Sequence, residues 1–203
     1  MIILKMVIYD VKENLYDDIK DEVIKMYTEG IISDELTEGK IRTKNGNLFE
    51  DMAQHVLERL MYANGLNGVV LRDSETKYFH KSKNSQTKVN LDRQIEYKNE
   101  PIICVEAKTY FDKSMARRAW GDSYLLKTLF PKTKTVVLMG EKAISDSELI
   151  YQLDTYIDRA FVLVDGCRSS DKPLWKVGNS KFINEETLLE FIKYADSIVK
   201  EYV

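Results

Sequence analysis

The chain has 203 residues, 44% of them hydrophobic and 31% charged, which suits one globular domain with a full core. No apolar run approaches the roughly 20 residues of a bilayer span, so the composition excludes a membrane-spanning helix. The net charge of −3 excludes a uniformly basic nucleic-acid binder, and two histidines and two cysteines exclude a histidine-rich metal site or a disulfide framework.

The opening Met1 to Asp10 is interrupted by Lys5 and lacks a basic start and a small-residue cleavage site, so it reads as a strand or helix of the fold and the cytoplasm is the expected compartment. Leu15, Ile19, Val23, Met26 and Tyr27 recur at helical spacing, and Gly30 ends that helix. A second helix is expected from about Leu48 to Ala63, entered through Asn45-Gly46-Asn47 and closed by Asn64-Gly65, with Phe49, Met52, Val56, Leu60 and Met61 inward. Glu50 lies in its first turn, where a carboxylate gains from the helix dipole. His55 reads as a packed or surface residue of this helix.

Val69-Val70-Leu71 reads as a short strand, and Arg72 to Lys88 as a long polar loop or extended hairpin. Loops of that length in compact domains tend to be functional or mobile. Acids crowd the N-terminal region (Asp17, Asp18, Asp21, Glu22, Asp34, Glu35, Glu38), whereas Lys77, Lys81, Lys83, Lys88, Arg93 and Lys98 gather ahead of and within the next hairpin. A local basic face of this kind is what duplex DNA requires, although a solvated lysine-rich loop has the same composition.

Lys98-Asn99-Glu100-Pro101 separates two β-prone runs and predicts a hairpin turn. The second run, Ile102 to Val105, is apolar, contains Cys104, expected as a free thiol like Cys167, and ends in Glu106-Ala107-Lys108. Glu106 and Lys108 share a face about 7 Å apart along the strand. Folding the chain back about Asn99 sets Asp92 opposite Glu106, where two carboxylates raise each other's pKa unless something positive lies between them. A hard divalent cation with oxygen ligands meets that need, and Lys108 is then placed to orient or help deprotonate an attacking water. The pattern Glu-x-Lys occurs four times, at Glu38, Glu75, Glu96 and Glu106, but only at Glu106 does it follow a continuous apolar strand with an acid across a hairpin. The competing reading is a surface ion pair at a strand end.

Ser114 is expected to cap a helix running to about Phe130, with Met115, Trp120, Tyr124, Leu125 and Phe130 as core contacts and Pro131 just beyond. Arg117 and Arg118 in its first turns carry the planar fork that suits phosphates and base edges, or else pair with Asp112 or Asp122. Thr135 to Met139 reads as a buried strand, followed by a capping box Ser145-Asp-Ser-Glu148; Ala160 to Val164 is another strand, ending at Asp165-Gly166. Arg168 to Trp175 is a polar loop able to reach base edges, and a C-terminal helix begins near Asn184 with Leu188, Leu189, Phe191, Ile192, Ala195, Ile198 and Val199 as its apolar stripe. Strands alternating with helices predict an α/β fold with a mixed central sheet in a single domain, residues 1–203.

Asp92, Glu106-Ala107-Lys108 after an apolar strand, Thr109-Tyr110 and the basic helix start at Ala116-Arg117-Arg118 resemble the PD-(D/E)xK nuclease superfamily, and within it the small type II restriction endonucleases. The resemblance covers about residues 46 to 140. Leu91 stands where that motif often has Pro, and Asp73 is a reserve for the first acid. The resemblance implies a restriction-endonuclease-like core and Mg²⁺-dependent hydrolysis of DNA phosphodiesters. It also implies Asp92, Glu106 and the Ala107 carbonyl as metal ligands, Glu50 as an extra ligand from the helix before the sheet, and Lys108 at the attacking water. Lys81, Lys83, Lys88, Arg93, Arg117 and Arg118 are the expected DNA contacts, and a palindromic site implies a homodimer. A repair or junction-resolving nuclease with the same core, or a non-catalytic DNA-binding protein, are the alternatives. A phosphate-binding NTPase is the less credible reading, since no Gly-x-x-x-x-Gly-Lys-[Ser/Thr] loop or glycine-rich dinucleotide fingerprint is present.

Overall fold

The computed structural model describes residues 2–30, 38–75, 78–81, 86–89, 91–145, 156–164 and 182–203. In chain order these form α1 (Ile2–Gly30), α2 (Glu38–Ala63), β1 (Val69–Arg72), a 3₁₀ turn (Asp73–Glu75), β2 (Phe79–Lys81), β3 (Gln86–Lys88), β4 (Arg93–Tyr97), β5 (Glu100–Phe111), α3 (Lys113–Leu129), β6 (Lys134–Lys142), β7 (Arg159–Val162) and α4 (Glu185–Lys200). Lys83, Cys167, the capping box beyond Ser145 and the polar segment Arg168 to Trp175 lie outside the described residues.

Five strands make one mixed sheet in the order β1-β4-β5-β6-β7. The β1, β4 and β5 strands run antiparallel, and β5, β6 and β7 run parallel. This is the α/β class with a mixed sheet that the alternation of patterns predicts. One face carries Ile95, Ile103, Val105, Ala107, Val136 and Leu138 against Ile19 and Val23 of α1, Phe49, Val56 and Leu60 of α2, and Phe191, Ile192 and Ile198 of α4. The other face packs Val137 and Met139 on Ala116 and Ala119 of α3, and Cys104 on Leu126. The sheet is therefore covered on both sides, as a sheet with parallel central strands requires.

Three helix ends follow from local chemistry. At the end of α2, Gly65 takes φ +68°. Its N–H donates to the Tyr62 carbonyl (3.0 Å) and the Leu66 N–H to the Met61 carbonyl (3.0 Å), a glycine C-cap of the Schellman type. The α4 helix starts at Asn184, whose side chain accepts from the Thr187 N–H at 2.9 Å, as expected. The α3 helix departs from expectation: Asp112, not Ser114, is the cap, its carboxylate accepting from the Ser114 and Met115 N–H groups at 2.9 Å each. The α2 helix also begins earlier than Leu48, running through Asn45-Gly46-Asn47, where turn propensity yields to helix packing.

The inward face of α3 is likewise different. Ala116, Ala119, Ser123 and Leu126 are buried, whereas Tyr124, expected in the core, is 41% exposed. Small side chains of the helix pack on Val137 and Met139 of β6, and Tyr124 lies beside Trp120 and Tyr156. Gly140 of β6 serves the same close packing on the other face, since a Cβ there would lie 2.4 Å from the Thr109 carbonyl and 2.7 Å from the Phe49 ring.

A buried polar network ties α1, the end of α2 and α4 together. Asp196 accepts from the Tyr16 hydroxyl at 2.5 Å and the Asn64 amide at 2.7 Å, and pairs with Lys200. His55 is part-buried on α2 and shares Glu22 of α1 with Arg59.

Candidate active site

The site forms just before the start of β4, where β5 runs on past it. Lys98 and Asn99 make the two-residue turn, both with positive φ (53° and 65°), the conformation of a type I′ hairpin. From that turn Tyr97 faces Glu100 and Glu96 faces Pro101, but a bulge then shifts the register so that Ile95 faces Ile103 and Arg93 faces Val105. One step further, Asp92 lies opposite Glu106. Without the extra residue Ile102 on β5, the same turn would set Asp92 against Val105, whose side chain leaves the opposite face.

Glu106 and Lys108 lie two and four residues beyond Cys104, which packs on Leu126, and so share its face, the α3 side of the sheet. The Lys108 ammonium donates to Asp92 Oδ2 at 2.5 Å and lies 3.1 Å from Glu106 Oε1. The Ala107 N–H donates to the same Asp92 oxygen at 2.8 Å, and because both backbone groups of a strand residue leave one edge, the Ala107 carbonyl is turned toward that side as well. This is no surface ion pair, for the side chains of Glu106, Asp92 and Lys108 are 4%, 13% and 18% exposed.

Burial, and then the Asp92 charge, push the Glu106 carboxyl up to about 7, against the pull of Lys108 and Arg118. Burial works to lower the Lys108 pKa, but Glu106 and Asp92 outweigh it and the net shift is upward. Lys108 is therefore held as an ammonium ion in this arrangement.

Two further acids lie within electrostatic reach of Asp92 and Lys108. Glu50, from the first half of α2, is half-buried, and its carboxyl is raised by burial and then by Asp92. Asp122, one turn along α3 from Arg118, is also raised by burial, with Arg118 and Lys108 opposing and Asp92 reinforcing. From the sequence alone Asp122 is expected only as an ion-pair partner of Arg117 or Arg118. The signal that marks it is its spacing, since i and i+4 place Arg118 and Asp122 on one face of a helix that starts beside the Glu106 strand.

The expected DNA contacts divide. Arg117 and Arg118 are exposed on α3 and Lys81 on β2. Lys88 is half-buried and donates to the Asp73 carbonyl at 2.6 Å. Arg93 is not placed to meet DNA. It is 4% exposed, and its guanidinium donates to Glu50 (3.0 Å), Asp51 (3.3 Å) and the Asp92 carbonyl (2.8 Å). It faces Val105 across the hairpin, so strand alternation turns it inward beneath α2. Asp73, the reserve first acid, lies in the exposed 3₁₀ turn and meets Asp92 through its backbone, its N–H donating to the Asp92 carbonyl at 3.2 Å.

The donor set fits a small hard cation. Among the described residues no three His, Cys, Asp or Glu side chains are gathered as a ready ligand group. A pair of carboxylates with a backbone carbonyl matches Mg²⁺, which binds through one or two carboxylates and keeps several waters. Burial first, and then the neighbouring Asp92 charge, disfavour the ionised form of Glu106, and a divalent ion held between the two carboxylates would favour it.

No family model and no curated protein matches the sequence. Two solved structures are similar in shape at low identity. One is the restriction endonuclease PspGI in complex with substrate DNA (15% identity, TM-score 0.47, covering 92% of this chain and 74% of that one). The other is the native BbvCI A2B2 tetramer (16% identity, TM-score 0.42, covering 98% and 93%).

Proposed function

We propose that the chain is a Mg²⁺-dependent endodeoxyribonuclease with a restriction-endonuclease-like core, acting on duplex DNA at a specific sequence as a type II restriction enzyme. The observation that carries this reading is the convergence of Asp92, Glu106 and Lys108 at the end of buried strands. The geometry supports the resemblance to the PD-(D/E)xK nucleases in the three side chains on which it rests.

Asp92 and Glu106, with the Ala107 carbonyl, would hold the ion, and Glu50 is the further acid within electrostatic reach. When bound, Mg²⁺ supplies Lewis-acid stabilisation of charge on the phosphate. The chain supplies the rest. The Lys108 ammonium holds the attacking water in line and offsets negative charge as it builds on the phosphate oxygens. Arg93 fixes Asp92 by its backbone and Glu50 by its carboxylate, so the acids are set before substrate arrives. Arg117 and Arg118, exposed beside the site, hold phosphates of the approaching strand. Two copies related by a two-fold axis would match a palindromic site.

Digestion of a long DNA of known sequence with Mg²⁺, followed by reading the fragment ends, tests this directly. Discrete ends at one sequence are expected. Preference for nicked or branched DNA would assign the same chemistry to repair, and intact DNA with both Mg²⁺ and Mn²⁺ would remove the nuclease reading.

A further inference from the structure

We propose that the two-stranded ribbon β2–β3 is the element with which the chain reads base edges in the major groove of duplex DNA. This rests on the nuclease reading above and adds to it the part that selects the sequence. The segment from Lys77 to Leu91 carries Lys77, Lys81, Lys83, Lys88 and His80 and no acid, in a chain whose 33 acids outnumber its 30 lysines and arginines. Local charge here is opposite to the net charge.

The ribbon pairs Phe79 with Lys88 and Lys81 with Gln86, and among the described residues it forms a sheet of its own, separate from the five-stranded one. Strand alternation puts Phe79, Lys81, Gln86 and Lys88 on one face. Phe79, Lys81 and Gln86 of that face are exposed. Their chemistry suits base edges: lysine donates to guanine O6 and N7, glutamine pairs with adenine N6 and N7, and an apolar side chain meets the thymine methyl. A two-stranded ribbon is also of a width the major groove admits.

The base of the ribbon is fixed while its arms are exposed. The Tyr78 hydroxyl donates to Glu96 and its ring meets Phe130 edge-on at 4.8 Å. The Val89 N–H donates to the Tyr78 carbonyl at 2.9 Å, and Val89 and Leu91 are buried with Cys104 and Leu126. The ribbon also adjoins the chemistry. Lys88 donates to the Asp73 carbonyl (2.6 Å), and the Asp73 N–H donates to the Asp92 carbonyl (3.2 Å), so one residue separates the ribbon from the first acid of the site. DNA bound on the ribbon would present its backbone near Asp92.

The test uses the full chain and begins with the wild-type cleavage map on a long DNA of known sequence. Gln86→Ala and Lys81→Ala, both at exposed positions, are then compared with wild type for cleavage with Mg²⁺. Binding is measured with Ca²⁺ to a duplex carrying the mapped site and to a duplex of unrelated sequence. Gln86 is uncharged, so its truncation leaves phosphate attraction in place. The expected result is a fall of about 10- to 100-fold in the preference for the mapped site over unrelated DNA, with new cleavage at sites differing by one base pair. Variants that keep the wild-type preference, or that weaken binding equally on both duplexes, overturn the proposal. Wild-type cleavage with no sequence preference also overturns it while leaving the nuclease reading intact, whereas a wild type that cuts nothing removes both.

Discussion

The Lys108 ammonium lies 2.5 Å from Asp92 Oδ2, joining the residue that precedes β4 to a residue sixteen positions later on β5. That contact exists because the hairpin bulge sets the register and because β5 outruns β4, leaving the Ala107 N–H and the Lys108 side chain facing one carboxylate.

The role assigned to Lys108 falls in the transition state, when charge builds on the phosphate, and not in ground-state binding. Lys108→Ala is expected to lower the cleavage rate about 10²- to 10³-fold and to change DNA affinity only severalfold. Single-turnover cleavage with Mg²⁺ and binding with Ca²⁺ check the two halves separately. Affinity lost in proportion to the rate would place Lys108 among the binding residues instead.

Glu106 gives the metal-free protein a pH dependence of known sign. Its folded pKa is raised to about 7 by burial first and Asp92 second, above the ordinary carboxyl value of about 4.3, so protonation favours the folded state. The stabilisation is complete below the unfolded value and is lost as pH rises through about 7. Thermal melts in EDTA are expected to show wild-type Tm falling across this interval, and Glu106→Gln, which is neutral throughout, to lack the decline and to melt higher at pH 8. Saturating Mg²⁺ should raise the wild-type Tm at pH 8 and leave the variant nearly unchanged.

Much of this arrangement was legible in the sequence because it depends on local rules. The apolar run before Glu106, the turn residue Asn99 and the two-residue alternation of a strand point to positions 92, 106 and 108 as neighbours. The sequence does not reveal how they meet. The turn is centred between Lys98 and Asn99, and the bulge at Ile102 restores the pairing that a fold about Asn99 assumes; nothing in Pro101-Ile102-Ile103 marks that extra residue. Arg93 differs from expectation for a related reason, since a basic residue near other basic residues reads as surface until the register turns it inward. Asp122 is not legible beside Asp92 because its electrostatic reach to that residue is set by how α3 packs on the sheet, which no local pattern fixes.

Arg93 is the buried cation beneath the site, and its loss would leave Glu50 half-buried without its guanidinium and the Asp92 carbonyl without one of its donors. Breaking such a pair on one side costs about 3–5 kcal/mol. Because the Glu50 and Asp51 side chains are 26% and 50% exposed, water offsets part of that cost, and Arg93→Met is expected to lower unfolding free energy by about 2–3 kcal/mol in urea titrations. Arg93→Lys, which keeps the charge but not the fork, should recover only part of it. A variant as stable as wild type would show that Arg93 contributes no net stabilisation there.

Asp196 provides the opposite pH dependence, far from the site. Burial alone would raise its pKa, but hydrogen bonds from Lys200, Tyr16 and Asn64 pull it below the ordinary carboxyl value. Its contribution to stability is therefore present above the unfolded value and is lost as pH falls through the folded one. Asp196→Asn keeps the shape but exchanges one acceptor oxygen for a donor, which opposes either the Asn64 amide on Oδ1 or the Tyr16 hydroxyl and Lys200 ammonium on Oδ2. A cost of about 1–3 kcal/mol at pH 7 is expected. The difference between wild type and variant should shrink as the acid limb is entered, because wild type then loses the charge that the variant never had. Parallel denaturation curves from pH 7 to pH 3 measure that convergence, and a gap that stays constant would mean that the network acts through its shape and not through the carboxylate charge.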